Sequence, residues 1–175
     1  MTAAKEAAKR NVKCFVELSH GAIYKPDPTP SKESAKLKPW LKLAKYKLQA
    51  ESELQKIPGL VHCYPYFHIT NTTLRLNLVI IRMANVYGEY CSKLVGTMLC
   101  MARAYKELGR EMKWLWTKDL KCNTVHVKDV ARALWHVAQW YVNGKTNWDE
   151  GAMGQTPIFN IVDQGDTSQL SLASC

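Results

Sequence analysis

The chain has 175 residues, of which 47% are hydrophobic and 22% charged, proportions that suit one buried core and exclude an intrinsically disordered chain. No stretch approaches the ~18–20 uninterrupted apolar residues of a membrane-spanning helix, and the Ala/Lys-rich start is neither a hydrophobic signal core nor an Arg/Ser-rich transit peptide, so a cytoplasmic protein with no membrane partner is expected. The net charge is +9, and many of the lysines fall between Lys25 and Lys56; a run without arginine, with only Trp40 and Tyr46 interleaved on its helix, reads as a solvated face or a groove for an anionic cofactor or substrate, with no nucleic-acid partner.

Residues 2–10 are strong helix formers with Thr2 as the candidate cap, and Asn11 ends the run. Val12 to Leu18, centred on Phe15 and Val16, reads as a buried strand. Lys25 to Lys38 contains Pro26, Pro28 and Pro30 and is loop. From Pro39, the residues Trp40, Leu43, Ala44, Leu48 and Leu54 fall near a 3.6-residue period with proline in the first turn, which predicts a helix ending near Ile57-Pro58-Gly59. A strand follows over 76–82, then a Met- and Ala-rich helix over 92–108 closed by Gly109, and a short strand from Met112 to Trp116. Asp129 is expected to cap a helix that runs to Tyr141 and ends at Asn143-Gly144, and Pro157 to Val162 is the last strand. This alternation of strands and helices predicts an α/β fold with a parallel sheet, organised as a single domain over 1–175.

Residues 61–75 do not fit the alternation. They are aromatic and polar without either period, where the helix-to-strand connection of such a unit takes only a few residues. A translated intron accounts for the segment: Val61 can begin with the codon letters GT, Ile69-Thr70-Asn71 can encode a CTAAC branch point, and Arg75 can begin with AG. Its removal would join Pro58-Gly59-Leu60 to Leu76 through a short turn.

The six cysteines, at 14, 63, 91, 100, 122 and 175, include no Cys-x-x-Cys pair and read as reduced thiols. His62, Cys63 and His68, or Cys122 with His126, form no recognised ligand set, so no metal is expected.

Two motifs carry the most specific information. Leu78-Val79-Ile80-Ile81-Arg82-Met83-Ala84-Asn85-Val86-Tyr87-Gly88 is an apolar strand breaking into Arg-x-x-Asn-Val-Tyr-Gly, and Val125-His126-Val127-Lys128-Asp129-Val130-Ala131 is a His-Val-x-Asp-Val-Ala turn. Together they resemble the extended short-chain dehydrogenase/reductases, the NAD-dependent epimerase/dehydratase family. Ser19-His20-Gly21-Ala22-Ile23-Tyr24 is similar to the Ser-Ser-x-x-Val-Tyr-Gly segment of that family's catalytic strand. The sequence contains no Gly-x-Gly-x-x-Gly or Gly-x-x-Gly-x-x-Gly. The resemblance therefore implies a partial Rossmann-like sheet lacking the N-terminal glycine-rich half, a truncated relative of enzymes that use NAD or NADP on hydroxyl or carbonyl substrates such as nucleotide sugars.

The family's chemistry uses a Tyr and a Lys one helical turn apart, where the ammonium lowers the phenol pKa and holds the nicotinamide ribose. Lys47, followed by Glu51, matches the Lys-x-x-x-Glu part of the pattern, but four residues earlier stands Leu43; choosing Lys45 instead gives Leu41. Tyr46 lies beside the right place yet points about 100° away on a regular helix. The resemblance assigns catalytic roles to Lys47 and to Ser19, the latter as the partner of the substrate hydroxyl, unless the turn aligns so that His20 replaces it. It sets Met83 and Ala84 against the nicotinamide, where the family usually has Pro-Gly, and makes Asn85 a substrate contact. His126 and Asp129 read as packing and capping residues. The literal Tyr141-x-x-x-Lys145 is coincidental because Asn143-Gly144 breaks the shared face. Without the phenol, catalysis is expected to be impaired. The alternatives are a non-catalytic interaction protein, whose exposed strand edges would pair with a second chain, as in a homo-oligomer, or a fragment of an incomplete gene model.

Overall fold

The computed structural model describes residues 2–27, 29–58, 76–91, 95–113, 117, 120–144, 155–165 and 167–168. The 61–75 insertion, most of the predicted Met112–Trp116 strand, and Lys145 lie outside them. The fold is α/β, and the chain divides into two compact units, Met1–Arg82 with Leu134–Asn160, and Met83–Ala133 with Ile161–Cys175.

The first unit is built on a sheet in the order β1 (Phe15–His20), β2 (Leu78–Met83), β5 (Ile158–Ile161). The Ile80 N–H donates to the Pro157 carbonyl at 2.9 Å, and the Ala84 N–H, in the second unit, to that of Ile161 at 3.0 Å. The two strands thus advance in step, as parallel partners do. Leu78, Val79, Ile80 and Ile81 are all buried, which explains why this strand reads as an uninterrupted apolar run: a central parallel strand is covered on both faces.

Helix α1 (Thr2–Lys9) places Ala4 and Ala8 on one face against Leu54, Ile57, Leu76, Leu78 and Ile80, while Glu6 and Arg10 pair across an i,i+4 step at 2.8 Å on the solvent side. Asn11 ends it with φ of 48°, the left-handed C-terminal signal expected from its sequence. Strand β1 begins later than predicted, at Phe15, and extends to His20. Its start coincides with the bond from the Phe15 N–H to the Asn77 carbonyl at 2.6 Å, a pairing that sequence propensity could not locate.

Helix α2 covers Lys42–Gln55, not the expected start at Pro39. The cause is non-local. An antiparallel bridge between Tyr24 and Leu37, and a bond from the Lys38 N–H to the Ile23 carbonyl at 2.9 Å, keep the preceding chain extended. Leu41 occupies the cap position without a side-chain hydrogen bond.

In the second unit, Asn85–Tyr87 forms β3, paired in parallel with β4 (Thr124–His126) in the register Asn85 to Thr124, Val86 to Val125 and Tyr87 to His126. Helix α3 (Val95–Glu107) is followed by Gly109 with φ of 59°, as predicted. Helix α4 covers Val127–Val142 and is followed by Gly144 with φ of 88°. Asp129 sits inside its first turn, where a carboxylate complements the helix dipole, and pairs with Arg132. The capping acceptor is instead the Nδ1 atom of His126, which receives the Lys128 N–H at 3.2 Å.

Candidate functional site

Strand β1 ends where chemistry is expected in an α/β sheet, since ligands of such folds bind beyond the carboxyl ends of the strands. Four groups gather there: Glu17, Ser19 and His20 on β1, and Lys47 on α2. The Lys47 Nζ donates to the Leu18 carbonyl at 2.6 Å and to Glu17 Oε1 at 3.0 Å, so the ammonium is held against the strand end. Its side chain keeps 35% exposure, and among the described residues one of its three N–H donors remains for another partner. The Lys47–Glu17 pair had no signal in sequence because its partners lie 30 residues apart.

Ser19 is buried, 1% exposed, and its Oγ has no hydrogen-bond partner among the described residues. A buried hydroxyl left unpaired is uncommon and costs about 1–3 kcal/mol, so the strand end carries an unmet polar demand. His20 follows at the last position of the strand. Its Nδ1 accepts the Ala22 N–H at 2.9 Å and caps the 3₁₀ turn Gly21–Ile23. Burial first, and then the Lys47 charge, hold the imidazole below its ordinary pKa.

Leu43, one helical turn before Lys47, is exposed at 59%, and Tyr46 is exposed on a regular helix with the Lys42 ammonium 6.0 Å from its ring centroid. No distortion of α2 brings Tyr46 onto the Lys47 face.

Glu51, the last member of the Lys-x-x-x-Glu pattern, does something its sequence position did not announce. Its carboxylate receives two bonds from the Arg82 guanidinium, at 2.7 and 3.3 Å, and the two side chains are 2% and 3% exposed. Arg82 Nη1 also donates to Tyr24 Oη at 2.8 Å and to the Glu33 carbonyl at 3.2 Å, with its guanidinium 5.1 Å from the Tyr24 ring centroid. The Tyr24 hydroxyl donates in turn to Asn160 Oδ1 at 2.8 Å, and Asn160 Nδ2 reaches the Ser31 carbonyl at 3.0 Å. Burial opposes the Arg82 charge, but the Glu51 and Tyr24 bonds outweigh it and leave its pKa raised. This network ties α2, β2, β5 and the proline-rich loop together beneath the strand ends. A sequence signal did exist: an arginine ending an apolar strand run needs a buried counter-charge.

The other predicted site residues fall in the second unit. Met83 and Ala84 are half-buried at its start. Asn85 spends its Nδ2 donor on the Asn123 carbonyl at 3.1 Å, which leaves Oδ1 as its acceptor. Tyr87 meets the His126 ring edge-on at 5.2 Å between centroids, and burial, then the neighbouring Asp163 carboxylate, raise its phenol pKa. Asp163 also accepts from Thr124 Oγ1 and from the His126 N–H, each at 3.3 Å, so this cluster braces the β3–β4 pair. Among the described residues no group of three His, Cys, Asp or Glu side chains is placed to hold a metal, and no helix is long and apolar enough to cross a membrane.

Solved structures share this fold. The UDP-N-acetylglucosamine 4-epimerase of Methanobrevibacter ruminantium M1, in complex with UDP-N-acetylmuramic acid, superposes with a TM-score of 0.66 at 17% identity, covering 99% of this chain and 50% of that one. The dTDP-glucose 4,6-dehydratase of Bacillus anthracis, in complex with NAD, gives 0.65 at 15% identity over 99% of this chain and 48% of that chain. A dTDP-4-dehydrorhamnose reductase ortholog from Clostridium acetobutylicum gives 0.68 at 18% identity over 98% and 48%. The chain therefore spans about half the length of these structures, and at such identities they establish a Rossmann-like fold. No curated protein matches the sequence. The family assignment comes from the sequence itself, which matches the NAD dependent epimerase/dehydratase family over residues 1–152, and the chain belongs to that family.

Proposed function

We propose that this chain supplies the nicotinamide- and substrate-side residues of an NAD(P)-dependent oxidoreductase acting on a hydroxyl- or carbonyl-bearing substrate of the sugar-nucleotide class in the cytoplasm. The observation that carries the reading is the Lys47 ammonium held against the carboxyl end of β1 with one donor to spare. The family match supports the cofactor class, and relatives named for nucleotide sugars support the substrate class.

The residues present suit the nicotinamide side of such a dinucleotide. Lys47 has the donor and the exposure to hold a ribose hydroxyl, and the unmet hydroxyl of Ser19 lies on the strand whose end Lys47 covers. A bound NAD or NADP would supply hydride transfer. Lys47 would hold the ribose, Met83 and Ala84 would lie along the nicotinamide, and Asn85 would meet the sugar or phosphate through Oδ1, while Ser19, its Oγ sealed, would take the substrate hydroxyl only once the strand end opened. Proton transfer is the weak step, because Leu43 has no proton to exchange and Lys47 has no phenol to activate.

A thermal-shift titration of the purified 175-residue protein with NAD(H) and NADP(H) tests the reading, since a ligand that binds only the folded state raises its apparent stability. At a hundredfold excess over Kd the gain is about 2.7 kcal/mol, an easily resolved upward shift. A cooperative melt indifferent to all four forms would overturn it. That result would favour a non-catalytic interaction protein, for which the exposed Trp40, Leu43 and Tyr46 side chains speak.

A further inference from the structure

His20 does two jobs with two nitrogens, and only one is occupied. A backbone N–H can only donate, so the Ala22 N–H directed at Nδ1 from 2.9 Å requires that Nδ1 carry a lone pair. The neutral ring then carries its proton on Nε2. That atom has no partner among the described residues, and it is not among their sealed, unpaired polar atoms, so it faces accessible space at the carboxyl end of β1. Nearby, Lys47 offers three N–H groups and no lone pair, and one Glu17 oxygen is already committed to it. Burial and the Lys47 charge both disfavour the imidazolium, which keeps the ring neutral near pH 7.

We propose that His20 is a donor-only recognition residue whose Nε2–H hydrogen-bonds a carbonyl oxygen of a ligand at the end of β1, so that the site favours the keto form of a sugar nucleotide over the hydroxyl form. The inference rests on the function proposed above and deepens it. A serine or threonine hydroxyl can donate or accept, and so serves either form of a substrate. A neutral imidazole locked by Ala22 cannot accept at Nε2 and cannot take a proton from a hydroxyl. It can only stabilise electron density on an oxygen, the role of a fixed neutral-imidazole electrophile. A carbonyl oxygen accepts the Nε2–H with no proton of its own to place, whereas a hydroxyl that accepts it must still find an acceptor for its proton, which neither Nε2 nor the Lys47 ammonium provides.

Long-range ¹⁵N–¹H correlation of the labelled full chain at pH 7.5, with the signal assigned by its loss in His20→Asn, reads the tautomer directly; a protonated Nε2 and a bare Nδ1 are expected. The asparagine oxygen can still accept the Ala22 N–H and preserve the cap, but it has no atom where Nε2 stands. Calorimetric titration then compares dTDP-glucose with its 4-keto-6-deoxy derivative. His20→Asn is expected to weaken the keto ligand about tenfold and the hydroxyl ligand less than about twofold, and the wild-type Nε2 signal is expected to move with the keto ligand only. A proton on Nδ1, an imidazolium at pH 7.5, or equal effects on both ligands would overturn the proposal while leaving the oxidoreductase reading intact. Failure of the wild-type protein to bind either sugar nucleotide would overturn the substrate reading, and this proposal with it.

Discussion

Replacing Arg82 with methionine should be the most damaging single change in the first unit, and its size follows from the geometry. Methionine fills much of the same volume but leaves Glu51, 2% exposed, as a buried carboxylate without its 2.7 Å partner, and strips donors from the Tyr24 hydroxyl and the Glu33 carbonyl. Breaking a buried pair from one side costs about 3–5 kcal/mol. With a urea slope of about 2 kcal/mol/M, the unfolding midpoint should fall by about 1.5–2.5 M. One internal control sharpens the test. The double variant Glu51→Leu/Arg82→Met should recover to within about 1 kcal/mol of wild type, because removing both charges removes the desolvation penalty. A loss below about 1 kcal/mol for Arg82→Met at pH 7, or a double variant as unstable as the sum of the singles, would refute the claim that these residues form one desolvated unit.

Gly88 has φ of 116°, and a Cβ there would lie 2.7 Å from His126 Nε2 and 2.9 Å from Val127 Cγ1, so Gly88→Ala should cost about 2–3 kcal/mol by thermal melting; a silent substitution would show that the chain after β3 does not pack against the start of α4. The Glu17–Lys47 pair is only partly buried, at 19% and 35% exposure, so Glu17→Gln should cost under about 1 kcal/mol, while Lys47→Met, which also strips the Leu18 carbonyl of its donor, should cost more in the same urea titration. His20, with its folded pKa below the unfolded value of 6.5, binds fewer protons folded than unfolded, so its contribution is full above about pH 6.5 and lost as pH falls through the lower folded value; His20→Asn should flatten that part of the stability profile. Cys100 is exposed, whereas burial pushes the Cys122 thiol up, so timed alkylation followed by peptide mapping should label Cys100 before Cys122.

Where neighbouring residues decide the outcome, the sequence was sufficient. The alanine spacing of α1 and its Asn11 stop, the glycine endings at Gly109 and Gly144, and the buried strand Leu78–Met83 all depend on preferences of residues close in the chain. The α/β class followed from the alternation of such elements, and the family from motifs kept intact within β1, β2 and the turn into α4. What pairing across the chain decides was not readable. The start of α2 waits on the Tyr24–Leu37 bridge, and β3 exists because β4 lies alongside it. Ser19 turned out sealed while the neighbouring His20 kept one nitrogen open, a distinction that neither residue type nor position carries. Glu51, Arg82 and Tyr24 look like three unrelated polar residues in sequence, separated by 31 and 58 positions, and become one network only when the fold removes water from all of them. Desolvation is a property of the packed structure: it sets which charges must pair and which donors remain open, and so the tertiary structure alone decided the chemistry at the end of β1.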